Sequence, residues 1–145
     1  MNFEAVSSPM KGSIVAEIVD TSGIPSNRII RTTDTWQVNV QWTLSGAGAA
    51  FVSPNETWVV RVFIESIGPG FEGLVPPAAE IQATGGMNQS YSHTFSFPPN
   101  ANMAAPNFSG VYKVVVVLTL KDPMGNPLPI AGFSEEPIIQ FYRPN

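Results

Sequence analysis

Residues 35–44 alternate strictly between apolar and polar side chains, and this pattern constrains the fold more than any other feature of the chain. Successive side chains of a β-strand point to opposite faces of its sheet, so a period of two predicts one buried and one solvated face. The apolar positions carry large groups, which predicts a well-filled core behind them. The predicted inward residues are Trp36, Val38, Val40, Trp42 and Leu44, and the outward residues between them are Gln37, Asn39, Gln41 and Thr43.

Strand-like segments recur along the whole chain, with turn residues between them. The sequence has 12 glycines and 14 prolines, dispersed without a fixed period, and no segment of useful length has a helical period. Short apolar or alternating segments between such breakers are typical of an antiparallel β-sandwich, and we predict an all-β fold of about seven or eight strands. Besides residues 35–44, the predicted strands are residues 13–20, 28–33, 57–67, 80–84, 91–97, 111–121 and 137–142.

Two segments are predicted to be irregular. Residues 71–80 are rich in Gly, Pro and Ala, which favours a loop. Residues 122–136 are predicted to form a long connection, in which Asp-Pro-Met-Gly-Asn at residues 122–126 supplies the turn.

Length and composition indicate one ordinary folded domain. A chain of 145 residues fits a single domain, residues 1–145, that buries a sizeable core. Its hydrophobic content of 43% argues against intrinsic disorder. The formal net charge is −4, and Arg28 and Arg31 are the nearest approach to a basic cluster. Nucleic acid is therefore not an expected partner, because binding it needs a basic surface.

The sequence lacks the residue groups on which most catalytic and metal sites depend. It has no cysteine, which excludes disulfides, zinc–thiolate sites and a cysteine nucleophile. Its one histidine, His93, lies on the apolar face of a predicted strand, where a structural role is expected. The carboxylates are scattered, whereas calcium needs about six to eight oxygens around one point. We therefore predict a protein that is not an enzyme and holds no cofactor or metal.

The chain also lacks recognisable membrane and export segments. No stretch approaches the roughly 18 apolar residues of a membrane-spanning helix. Residues 1–10 contain neither a basic segment nor an apolar core of the kind found in signal peptides. These features predict a cytoplasmic protein with no membrane partner.

One short motif resembles a known superfamily. Residues 109–114 read Ser-Gly-Val-Tyr-Lys-Val and resemble the start of strand F in immunoglobulin domains, where the pattern is Asp-x-Gly-x-Tyr-x-Cys. Gly110 and Tyr112 match that pattern. Phe108 stands where the aspartate would be, and Val114 stands where the cysteine would be.

The resemblance implies an immunoglobulin-like or fibronectin III-like β-sandwich without a disulfide. It implies that Tyr112 forms a tyrosine corner, with its hydroxyl bonded to backbone a few residues upstream. It also implies that Trp58 packs in the core as the tryptophan of strand C does in that family. It implies no particular function, because this fold carries many.

The outward positions of two predicted strands are unusually apolar and form the candidate site. The strands at residues 57–67 and 111–121 would be sheet neighbours in the immunoglobulin order, and the last strand would extend the same face. An apolar centre with a charged rim favours an interface with a protein partner or another copy of the chain. The alternative is that a loop of the same chain, residues 71–79, covers this face. The predicted interface residues are Val59, Arg61, Phe63, Val115, Val117 and Tyr142.

Exposed aromatic rings would indicate a different function, the binding of a carbohydrate. The three tryptophans share the parity of the inward apolar residues of their strands, so we expect them in the core. Phe71 and Phe133 lie in predicted loops and are the better candidates for stacking on a sugar. The sequence therefore predicts a non-enzymatic structural or protein–protein interaction module, self-associating or part of a larger assembly. The alternative is a carbohydrate- or ligand-binding β-sandwich.

Overall fold

A computed structural model of the protein describes residues 3–5, 10–20, 29–31, 35–67, 72–97, 110–134 and 138–142. Within these ranges the chain forms β-strands and one short 3-10 helix, Ala47–Phe51. The all-β sandwich class predicted from the sequence is confirmed, with ten strands rather than seven or eight among the described residues. In chain order they are β1 (Phe3–Ala5), β2 (Lys11–Asp20), β3 (Ile29–Arg31), β4 (Trp36–Ser45), β5 (Thr57–Ser66), β6 (Gly73–Gln82), β7 (Asn88–Phe97), β8 (Gly110–Lys121), β9 (Pro127–Ser134) and β10 (Ile138–Tyr142).

The strands form two sheets. The smaller sheet has the order β2-β4-β7, and β4 pairs antiparallel with both neighbours over its full length. In the larger sheet β5 lies between β6 and β8. The other edge of β8 is shared by β9 and β10, which pair with β1 and β3 respectively. The β10–β3 pair is parallel, and the other strand pairs are antiparallel.

The core lies between the inward faces of these sheets. All three tryptophans, Trp36, Trp42 and Trp58, are fully buried, as their parity in the sequence predicted. Trp42 stacks on Tyr91 with ring centroids 5.4 Å apart and an interplanar angle of 20°. The Trp58 ring meets Tyr91 edge-on at 5.9 Å, which is a favoured geometry for aromatic pairs. Strands from both sheets therefore interlock through one aromatic cluster.

The loop predicted at residues 71–80 is wrong over most of its length. Residues Gly73–Gln82 form β6, an antiparallel partner of β5 with a register shift between Val60 and Val62. Prolines occur in this strand because it is an edge strand within the described sheet, where a missing backbone N–H breaks no ladder on the outer side. The turn-like composition therefore reflected an edge position rather than a loop.

The long connection predicted at residues 122–136 is wrong in part. The turn at its start is confirmed, since Asp122 Oδ1 accepts hydrogen bonds from the backbone of Met124 at 2.9 Å and of Asn126 at 2.8 Å. Gly125 has a φ of 86°, a conformation that glycine adopts without strain. The chain then returns along β8 as β9, so the connection is a hairpin. Strand β1 was also missed.

Tyr112 is fully buried, as the predicted tyrosine corner requires. The upstream residues 98–109, which would supply the acceptor for its hydroxyl, lie outside the described residues. The bond itself stays a prediction. Among the residues that the structure describes, no helix is long and apolar enough to cross a membrane.

Candidate functional site

The candidate site is the outer face of the larger sheet, on the side opposite the core. Strands β5 and β8 are adjacent, as predicted, with Arg61 opposite Val117 and Phe63 opposite Val115. Directly opposed residues of an antiparallel pair share one face, so these four side chains lie together. Leu74 of β6 pairs with Phe63 from the other side. Leu74, Phe63 and Val115 thus form a line of apolar side chains across three adjacent strands, which we call the apolar row.

The apolar row is partly exposed. Phe63, Val115 and Val117 are half-buried, and Leu74 has 38% of its surface exposed. The described part of residues 71–79 lies beside β5 as strand β6 rather than over its outer face. Within the described residues, that segment therefore does not cover Phe63 as the alternative expected.

Val59 does not contribute to an exposed patch. Its side chain is only 7% exposed. The ion pair between Lys121 and Glu80 explains this burial, because Lys121 lies opposite Thr57 on one side of β5 and Glu80 lies opposite Val59 on the other. The two side chains meet across the outer surface of β5, where their aliphatic stems shield Val59. The exposed apolar area is correspondingly smaller than the sequence suggested.

Arg61 borders the apolar row. Its side chain is half-buried, and its Nη1 donates a hydrogen bond to Thr119 Oγ1 at 3.2 Å. The residue opposite Arg61 on β8 is Val117, which offers no charge. Among the described residues, no carboxylate forms an ion pair with Arg61.

The other end of the outer face mixes charge with exposed apolar groups. Glu65 lies directly opposite Lys113, where opposite charges are favourable neighbours. Beyond this pair, the backbone N–H of Ile67 donates to the Val111 carbonyl at 2.9 Å. Ile67 is 57% exposed, and Val111 is also exposed. Ile67 and Leu74 were missed as members of this face, although Ile67 continues the odd parity of β5.

The sixth predicted interface residue, Tyr142, is only partly placed. Its backbone lies in β10 and pairs with Arg31 of β3, whereas β8 pairs with residues 138–141 of β10. The orientation of the Tyr142 side chain lies outside what the structure describes. Its membership of the face stays a prediction.

The outer face of the smaller sheet has the opposite character. Its exposed side chains are mostly uncharged polar groups that bond to one another across strands. Ser13 Oγ and Thr43 Oγ1 are 2.7 Å apart, and Thr94 Oγ1 donates to Asn39 Oδ1 at 2.8 Å. Val15, which lies opposite Gln41 on this face, is an exception with 56% of its surface exposed, so apolar outward groups are more numerous on the larger sheet but not confined to it.

A second candidate lies at one end of the sandwich, around the 3-10 helix Ala47–Phe51. The Phe51 ring is 67% exposed. Residues 45 and 46, which precede the 3-10 helix, line an open cavity of about 420 Å³ together with Met10 and Lys11. Phe51 was missed because a small-residue loop before it offered no pattern. It is an exposed aromatic ring of the kind that a sugar could stack on.

The side chain of Gln89 holds this end of the sandwich in place. Gln89 is 2% exposed, and its Nε2 donates to the carbonyls of Ala49 at 2.8 Å, Val52 at 3.1 Å and Gly86 at 2.8 Å. Its Oε1 accepts a hydrogen bond from the Tyr91 hydroxyl. One buried amide thus fixes the 3-10 helix to the loop before β7, so Phe51 projects from an anchored element.

The two loop aromatics proposed from the sequence fare differently. Phe71 lies outside the described residues. The prediction that Phe133 lies in a loop is wrong, because its backbone belongs to β9 and pairs with Val117 of β8. The orientation of the Phe133 ring is not among the described features.

No metal or acid–base cluster emerges from the described residues. Within the described ranges, no three His, Asp or Glu side chains approach closely enough to hold a metal ion. His93 is half-buried, and its ring meets Phe95 edge-on with centroids 4.6 Å apart. Its described surroundings are those of a structural side chain at an edge of the core.

Comparison with known proteins supports the fold alone. No protein-family model matches the sequence, and no curated protein matches it. The solved C-terminal domain of Wzt is similar, with a TM-score of 0.61 and 12% identity over 92% of this chain and 75% of that chain. A β-glucosidase from Listeria innocua, solved in complex with glucose, matches with a TM-score of 0.44 and 8% identity over 90% of this chain and 16% of that chain. The second match is too distant to carry an argument, and the first shows that the chain has a β-sandwich fold similar to the Wzt domain.

Proposed function

We propose that this protein is a non-enzymatic interaction module that associates with another copy of itself through the outer face of the larger sheet. The observation that carries the proposal is the apolar row, Leu74, Phe63 and Val115, which is continuous across three strands and partly exposed, whereas the outer face of the other sheet is mostly polar. An exposed apolar centre with an arginine at its border has the composition of an interface hot spot.

The size of the face sets the expected strength of association. Val59 is shielded by polar side chains, so the contact would centre on the apolar row and on Ile67. A contact of this kind falls near the lower end of specific interfaces, which bury about 1,200–2,000 Å² in total. We therefore expect a reversible dimer with a dissociation constant in the micromolar range or weaker.

The test is the molar mass in solution, measured by sedimentation velocity from roughly 10 μM to 1 mM, the range in which micromolar affinities are resolved. Phe63→Glu should abolish association, because it places an unpaired charge at the centre of the contact. Gln41→Glu on the polar outer face of the smaller sheet is the matched control and should change nothing. Circular dichroism checks that both variants fold. A monomeric wild type over the whole range would refute the proposal.

A second candidate function is carbohydrate binding at the end of the sandwich. The observation that favours it is the exposed Phe51 ring on a segment fixed by Gln89. Sugars stack their apolar faces on such rings. A glycan array with wild type and Phe51→Ala is the test, with Phe63→Glu as the control. Binding that survives Phe51→Ala, or no binding to any glycan, would contradict this candidate.

The immunoglobulin-like assignment also belongs among the proposals. The burial of Tyr112 and the pairing of β8 with both β5 and β10 support it. It carries no function of its own, since sandwiches of this type serve many roles.

A further inference from the structure

The charges on strand β5 are arranged symmetrically about Phe63, with opposite sign. Arg61 lies two residues before Phe63 and Glu65 two residues after it, and all three belong to the outer face. We infer that two copies pack outer face to outer face about a two-fold axis that passes through the apolar row at right angles to β5. Each Arg61 then faces Glu65 of the other copy. This inference rests on the proposed self-association and adds its geometry.

Arg61 has no ion-pair partner among the described residues, which is the first observation in support of this geometry. Its described contact is a hydrogen bond to the Thr119 hydroxyl, and the residue opposite is Val117. A half-buried guanidinium has five N–H donors, and Thr119 uses one of them. A carboxylate from a second copy would supply both the counter-charge and the acceptors.

The spacing of the strand is the second argument. Residues two apart on a strand are separated by about 6.6 Å, so Arg61 and Glu65 lie at equal distances on either side of Phe63. Rotation about an axis across the strand through Phe63 exchanges these two positions. Packed sheets lie about 10 Å apart, which Arg and Glu side chains together can span. The two-fold places Phe63 against the same residue of its partner, so the apolar centre is closed as well.

A second two-fold is possible on the same face. An axis parallel to the strands, between β5 and β8, would bring Glu65 against Lys113 of the other copy. Lys113, however, already lies directly opposite Glu65 within one chain. That geometry would leave Arg61 facing Val117, so its charge would stay unbalanced. The axis across the strands is therefore the one that the charges favour.

Substitutions that reverse the charges at positions 61 and 65 test the inference, and sedimentation velocity measures the association of each variant. Arg61→Glu alone creates two Glu–Glu contacts per dimer, and Glu65→Arg alone creates two Arg–Arg contacts. Each single variant should weaken association roughly tenfold or more, because like charges then oppose each other at two positions. The double variant Arg61→Glu/Glu65→Arg should restore association to within a few-fold of wild type. An equimolar mixture of the single variants should also associate, as a heterodimer.

The outcomes separate this inference from the proposed function. If Phe63→Glu breaks the dimer while neither Arg61→Glu/Glu65→Arg nor the mixture of the single variants associates, the outer face is the interface, but the inferred axis is wrong. Rescue by Glu65→Lys/Lys113→Glu instead would assign the axis parallel to the strands and overturn our inference. If wild type never associates, the proposed function fails and the geometry with it. Melting temperatures of all variants confirm that a loss of association is not a loss of fold.

Discussion

Replacing Gln89 with leucine tests how the end of the sandwich is held together. The two side chains have similar volume, so the substitution removes hydrogen bonds without opening a large cavity. Gln89 is 2% exposed and bonds three carbonyls, of Ala49, Val52 and Gly86, through Nε2, while its Oε1 accepts from the Tyr91 hydroxyl. The variant leaves all four groups without this partner.

The cost depends on which of these groups find a substitute. The Ala49 carbonyl keeps the backbone bond from Val52 N–H at 3.0 Å, and Gly86 is exposed enough for water to replace the amide. The Tyr91 hydroxyl keeps the hydrogen bond that it accepts from the Thr84 backbone N–H at 3.1 Å, whereas the Val52 carbonyl lies in a buried residue without access to water. An unsatisfied buried group costs about 1–3 kcal/mol, so the free energy of unfolding should fall by about that amount for the Val52 carbonyl.

Urea denaturation followed by tryptophan fluorescence measures this loss. The matched control is Gln41→Leu, the same substitution at an exposed position of β4, which should change stability by less than about 0.5 kcal/mol. Equal effects of the two substitutions, or a loss below about 0.5 kcal/mol for Gln89→Leu, would refute the reasoning, since surface changes alone reach that size.

Three further predictions concern stability. Trp58→Ala should cost about 3–5 kcal/mol, because it empties the centre of the aromatic cluster, and a smaller loss in urea denaturation would show that the core collapses around it. Tyr112→Phe should cost about 1–3 kcal/mol if the hydroxyl bonds backbone, and unchanged thermal stability would contradict the tyrosine corner. Gly85→Ala should destabilise the protein more than Gly86→Ala. Both glycines have a positive φ, +78° at Gly85 and +90° at Gly86, so both substitutions strain the backbone. A Cβ at Gly85 would in addition lie 3.0 Å from Pro54 Cδ, whereas a Cβ at Gly86 would have no neighbour within 4 Å. Equal melting temperatures of these two alanine variants would show that Pro54 yields at no cost.

The sequence predicted the central strands because their burial is one-sided. In β4, β5 and β8 successive side chains point to the core and away from it, so the difference between the two environments is visible as alternation in the sequence. Strand β9 and the part of β6 before residue 80 were missed for a physical reason. Both contain proline, which is typical of a break in a strand. The edge strand β6 tolerates proline where the N–H would point away from the ladder. In β9, which lies between β1 and β8, Pro127 and Pro129 come before residues 130–132, where the pairing with β1 lies. A single sequence does not show which strands lie at an edge.

Alternation along the strands made it possible to predict which residues of the candidate site lie on the outer face, but not how exposed they are. Alternation placed Phe63 and Val115 on one face, and their cross-strand contact followed once β5 and β8 were neighbours. The burial of Val59 was not predictable, because it depends on a Lys121–Glu80 pair that joins strands far apart in sequence. Gln89 had a signal that was overlooked. It shares the inward parity of Tyr91 and Phe95, and a polar residue at such a position indicates a buried hydrogen-bond network.

The outer face of the larger sheet carries more apolar side chains than that of the smaller sheet, on which Val15 is the large apolar residue exposed among the described strand positions. Both sheets obey the same alternation, so the pleat does not dictate which outward positions are apolar. Gln41, Ser92 and their neighbours show that this chain can place uncharged polar groups on an outward strand face without disturbing the core. Phe63 and Leu74 occupy outward positions as well, so alternation alone does not require apolar residues there. The proposed contact between copies would bury these neighbouring apolar groups, which is why we place the interface on the larger sheet rather than at the isolated Val15.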